Sequence, residues 1–242
     1  TFMCDTSCGG SGGIVDIGHI NLNIGSADAQ AAALAFYVQA LGLTRDPEEM
    51  TGSASMWINV GSSQFHLPSR PPTQRHRGAV GLVLPCSREA LLQRLQRAGA
   101  ALKGTHFDFD EAEDHVSVCC PFGNRMRLYP PSSHLLGAVA LGMAYVEFTA
   151  AAGTTPHIAR FYTTVLGAHV QLGGSDSSAL HSSAPAAAGP SLRVLCGAHQ
   201  ALIFRESAVQ LPAFDGYHIM LTLSDFPAVY RRLADMRLIT RG

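Results

Sequence analysis

The run Gly18-His-Ile-Asn-Leu-Asn-Ile24 alternates apolar and polar side chains, and apolar residues at helical spacing follow it over 29–41 and stop at Gly42. Alternation with period two marks a half-buried strand, a 3.6-residue period marks a helix, and a glycine just past its end closes it. The same grammar returns three times. Gly78-Ala-Val-Gly-Leu-Val-Leu84 precedes a helical pattern over 88–98 and Gly99; Met143-Ala-Tyr-Val-Glu-Phe-Thr149 precedes one over 156–166 and Gly167; Tyr217-His-Ile-Met-Leu-Thr-Leu223 precedes one over 227–236. Repeats that begin at 18, 78, 142 and 216 predict an internally duplicated α+β protein. After each of the first three helices come short strand-like runs, at 55–60 and 64–67, at 115–119 and 125–129, and at 192–196 and 200–204. Each module therefore reads as β-α-β-β-β. The Ser/Ala/Pro/Gly-rich run 175–190 predicts a mobile insert, and the acidic run 108–114 a solvated loop.

Composition narrows the classes of function. The chain has 242 residues, 47% of them apolar and 14% charged, with a net charge of −1, so a sizeable core is expected and a basic nucleic-acid surface is not. No apolar stretch approaches the roughly 20 residues that cross a bilayer. The six cysteines show no paired zinc spacing and read as thiols of a reducing compartment, cytoplasmic or that of a processed organelle such as a chloroplast. Residues 1–13 read as a flexible leader.

Strand parity selects the candidate site. Ile20, Leu22 and Ile24 share one face of the first strand and predict helix packing, which leaves His19, Asn21 and Asn23 on the other. Phe65 and Leu67 do the same for Gln64 and His66.

The runs Phe36-Tyr-Val-Gln-Ala-Leu-Gly42, Phe161-Tyr-Thr-Thr-Val-Leu-Gly167 and Pro121-Phe-Gly-Asn-Arg-Met-Arg-Leu128 resemble those of the vicinal oxygen chelate superfamily, which includes glyoxalase I, extradiol dioxygenases and bleomycin-resistance proteins. The resemblance implies paired βαβββ modules. It predicts one complete glyoxalase-like domain at 14–131 (modules 18–68 and 78–131), a linker at 132–141, and a second, incomplete domain at 142–242 whose sheet edge would meet a partner protein or a second copy. It also sets the first and fourth strands of a module side by side, so that His19 and His66 could share a divalent metal such as zinc, iron, manganese or nickel. At the family's two other ligand positions of that domain stand Ala79 and Arg127, and a guanidinium opposes a metal. In the second domain the corresponding positions fall on Tyr145, Leu202 and His218, with Glu147 beside them as a weaker acidic partner of His218.

The resulting expectation is a protein without catalytic residues, metal or cofactor. It would be a pseudoenzyme that binds a small anionic molecule through His19, Asn21, Gln64, His66 and Arg127, or a subunit of a larger assembly. The alternative is a divalent-metal-dependent lyase, isomerase or dioxygenase acting on a small oxygenated substrate, with His19 and His66, or the weaker pair His218 and Glu147, as ligands.

Overall fold

A computed structural model describes residues 13–47, 55–137, 139–173 and 190–240. The leader, Cys4, Cys8 and nearly all of the predicted insert at 175–190 lie outside the described residues.

The first module comprises β1 (Ile14–Asn21), helix α1 (Ala29–Ala33) prolonged by a π-helical stretch (Leu34–Ala40), β2 (Thr44–Arg45), β3 (Ser55–Val60) and β4 (Ser63–Pro68). In the wide turn the Leu41 N–H donates to the Phe36 carbonyl five residues back, and both Phe36 and Tyr37 are fully buried. The second module contains β5 (Gly78–Val83), α2 (Arg88–Ala98), β6 (Asp108–Glu111), β7 (Val116–Cys119) and β8 (Arg125–Tyr129). Helix α2 starts where Ser87 Oγ accepts from the Ala90 N–H, carries Glu89 in its first turn and Arg97 in its last, and buries Leu91, Leu95 and Ala98. The third module comprises β9 (Gly142–Ala151), α3 (Thr155–Thr164), β10 (Val170–Gly173), β11 (Ser191–Cys196) and β12 (Gln200–Ser207), and the fourth β13 (His218–Leu223) and α4 (Phe226–Asp235).

Two sheets result. Sheet A has the order β13-β1-β4-β3-β2 and sheet B the order β10-β11-β12-β9-β5-β8-β7-β6. The first module thus shares its sheet with the fourth, through antiparallel β1–β13 pairing, and the second with the third, through antiparallel β5–β9 pairing. The modules 18–68 and 78–131, expected to form one domain, thus lie in different sheets. Those two consecutive modules pack through their helices instead, α2 against the π-helical stretch. The acidic run is corrected. Asp108–Glu111 is an edge strand, antiparallel to β7, and its side chains are largely exposed, as an edge strand tolerates.

The parity reading holds in the core. Ile20, Leu22, Ile24, Phe65 and Leu67 are buried in one continuous cluster with Phe36, Leu91 and Leu95. Two glycines of β5 allow β9 to come close: a Cβ at Gly78 would run into the Glu147 carbonyl, and one at Gly81 into the Tyr145 ring. Among the described residues Cys86, Cys119, Cys120 and Cys196 are free thiols. No described helix is long and apolar enough to cross a membrane.

Candidate functional site

The polar face of sheet A carries a row of rings. Trp57, on β3, lies opposite His66 on β4, and their rings stack at 4.2 Å and 3°. The other side of the His66 ring stacks on His19 of β1 at 3.8 Å and 20°, and His218 of β13 meets His19 edge-on at 5.8 Å. Asn21 lies between His66 and His218 in register and is buried. The β1–β13 pairing brings in the third imidazole, which the sequence reading had placed in another domain beside Glu147.

Burial, then the neighbouring His19 and His218, pushes His66 down to about 4, and burial, then His218, lowers His19. Both imidazoles are neutral at physiological pH. Gln64 orients one of them. Its Nε2 donates to Asn59 Oδ1 at 2.8 Å and to Asp46 Oδ2 at 3.2 Å, so its Oε1 is the acceptor that stands 2.9 Å from His66 Nε2. That nitrogen therefore carries the proton, and the Nδ1 lone pair of His66 is available to a ligand.

Three imidazoles form a donor set suited to zinc, iron or nickel. Their seating is less suited. Rings stacked at 3.8 Å and only 20° apart hold their in-plane lone pairs nearly parallel, so His19 and His66 cannot both meet one ion about 2.1 Å away without one ring turning. Among the described residues no three His, Cys, Asp or Glu side chains are grouped to hold a metal as seated.

Arg127 lies elsewhere. It stands on β8 in sheet B, in register with Gly81, which in turn faces Tyr145 on β9. Its Nη1 and Nη2 donate to Glu147 Oε2 and Oε1 at 3.0 and 3.1 Å, and Arg205 Nε donates to Oε2 at 2.8 Å. Burial alone would raise the Glu147 carboxyl, but the hydrogen bond and charge of Arg127, then of Arg205, hold it below its ordinary range. Arg127 Nη1 also donates to the Tyr145 hydroxyl, which is 2.9 Å from that of Tyr129.

Two expected sets are therefore corrected. Arg127 does not join His19, Asn21, Gln64 and His66, because β5 pairs with β9 rather than with β1. Glu147 does not join His218, because it is engaged by two arginines in the other sheet. The electrostatic objection that Arg127 raised against a metal at His19 and His66 falls with it. Leu202 is corrected too: it packs in the core, whereas Ile203 and Arg205 face the sheet-B cleft. Trp57, Arg205 and Tyr129 were absent from the predicted site. Pairing of Arg205 and Arg127 with one acid is invisible along the chain, since the residues stand on three strands far apart in sequence.

No family model matches the chain, and no curated protein matches it. Among solved structures the chain is similar to a putative dioxygenase from Bacillus subtilis subsp. subtilis str. 168, at 12% identity over 95% of this chain and 77% of that one, with a TM-score of 0.58. It is also similar to glyoxalase I from Zea mays, at 11% identity over 92% of this chain and 78% of that one, with a TM-score of 0.55. The chain shares the fold of these structures, with paired modules of one helix and several strands. Fold alone does not assign a reaction.

Proposed function

We propose that the chain is a small-molecule-binding protein whose working site is the polar face of sheet A, where His19, His66 and His218 offer imidazoles to a small oxygenated ligand beside the Trp57 ring. The observation that carries the reading is the contrast between the two sheets: in sheet A His66 has a free Nδ1 and the three imidazoles are partly open, whereas in sheet B Arg127, Arg205 and Glu147 are already paired with one another. In this reading the protein binds without turnover, and the exposed Phe226, Tyr230 and Met236 of the fourth module support contact with another protein.

A second reading is favoured by the third imidazole. Once one ring turns, His19, His66 and His218 would hold a divalent metal, which supplies Lewis-acid polarisation of a substrate oxygen, and the protein would be a lyase, isomerase or dioxygenase. The chain's own contribution is then Gln64, which fixes the His66 tautomer.

Trp57 is the single tryptophan of the chain and reports on the site. Titration with pyruvate, lactate and catechol should change its emission saturably with at least one of them. The change should vanish in His66→Ala and survive in Arg127→Ala. No response, or one that persists in His66→Ala, overturns the proposal. Stoichiometric cobalt(II) binding that is lost in His218→Ala would replace it with the second reading.

A further inference from the structure

Two guanidiniums converge on one carboxylate in the sheet-B cleft. Arg127 grips both oxygens of Glu147 in a fork, and Arg205 adds a third charge-assisted bond. Behind them stand the hydroxyls of Tyr145 and Tyr129. The Glu147 side chain is 8% exposed, and the two arginines 24% each. Two cations against one anion leave a surplus positive charge. The space left over is a cavity of about 10 Å³ lined by these five side chains with Leu135 and Ile203, room for one water at most.

The strand register explains why this acid alone fills the cleft. Glu147 is flanked in its row by Ala79 and Ile203, neither of which reaches a guanidinium with a polar atom. Gly81, between Arg127 and Tyr145, has no side chain at all. The donors are thus held by three different strands, β5's neighbours β8 and β9 and, beyond them, β12, while the acceptor is a single side chain.

We propose that the sheet-B cleft is a carboxylate-binding site that the chain occupies with its own Glu147. Two guanidiniums, one of them steadied by the Tyr145 hydroxyl that accepts from Arg127, form a receptor for a planar, two-oxygen anion, and the protein supplies that anion from within. A free carboxylate reaches the receptor only in competition with Glu147, so the intact protein keeps this cleft closed. Removing the side chain at Cβ leaves the donors around a hole of carboxylate size, and formate or acetate takes its place. Chloride, which cannot satisfy a fork with two oxygens, serves poorly.

The test is a set of thermal melts of Glu147→Ala in formate, acetate and chloride at equal ionic strength. Stripping the acid from partly buried guanidiniums should lower Tm by roughly 6–12 °C in chloride. With millimolar affinity, about 100 mM formate is a hundredfold excess and should restore roughly 5 °C or more, while the wild type gains no more from formate than from chloride. Adding Arg127→Met to Glu147→Ala should abolish the formate effect. Equal melting of Glu147→Ala in chloride and in formate overturns the proposal. If that variant does not fold in chloride, refolding yield is the readout: recovery in formate but not in chloride supports the internal-ligand site, and failure in both overturns it.

Discussion

Acid should destabilise the protein through His76, a residue outside both clefts. His76 precedes β5 and is 6% exposed. Its ring sits edge-on to Phe148 and Tyr217, both at 5.0 Å, and its Nε2 donates to the Glu147 carbonyl at 2.7 Å, while Nδ1 is buried without a partner. A proton on Nδ1 would be a charge with no acceptor in an apolar pocket. Burial accordingly pushes the pKa down to about 4, and the bond to the Glu147 carbonyl offsets this only in part. The unfolded chain titrates near 6.5. Between about 4 and 6.5 the unfolded state therefore binds a proton that the folded state refuses, and stability falls as pH falls through that window. At 1.36 kcal/mol per unit, lowering the pH from 7 to 4.5 costs about 2.5 kcal/mol through this one group. Urea unfolding at several pH values, on wild type and His76→Gln, isolates it, because His19 and His66 titrate in the same direction in both proteins and drop out of the difference. The variant should lose about 2.5 kcal/mol less than wild type over this range. Parallel curves for the two proteins would refute the reasoning.

In the wild type, long-range nitrogen NMR should find the His66 proton on Nε2, and Gln64→Leu should convert that signal to a mixture of tautomers; a proton on Nδ1 in the wild type would contradict the Gln64 relay. Gly81→Ala should cost about 1–3 kcal/mol in urea unfolding, since its Cβ needs the place of the buried Tyr145 ring, and unchanged stability would mean that the ring yields freely. Leu95→Ala, at a fully buried position of α2 in the shared core, should cost about 2–5 kcal/mol by the same measurement, and a loss under about 1 kcal/mol would argue against that packing.

Much of the architecture was legible because each module repeats a strand with clean alternation. Ile20, Leu22, Phe65 and Leu67 declare the buried face, so the sequence also places His19 and His66 together on the other one. Three features were not legible for physical reasons. Which first strands meet depends on the packing of α2 against the π-helical stretch, and the parity of β1 and β5 is the same whether they pair with each other or with β13 and β9. The strands β2 and β6 are two and four residues long and carry charged side chains, so they lack an apolar alternation. In β12 the run Ala201-Leu-Ile-Phe204 is apolar throughout, and both Leu202 and Ile203 are buried, which removes any parity signal and hides Arg205 from its partners. The candidate site followed from these: two of its imidazoles were readable, and the third depended on a pairing that only the fold reveals.

The central claim, that the first and fourth modules build one imidazole site in which His66 is held neutral, is tested most directly by the pH dependence of Trp57 emission, with far-UV circular dichroism confirming that the chain stays folded. A protonated imidazole stacked at 4.2 Å quenches an indole, so emission should stay level from pH 8 to about 5.5 and fall with a midpoint at about 4. The fall should be absent in His66→Ala. Because His218 is one of the groups that lower His66, His218→Ala should move the midpoint upward. A wild-type midpoint near the ordinary value of 6.5, or a midpoint that His218→Ala leaves in place, would contradict the account.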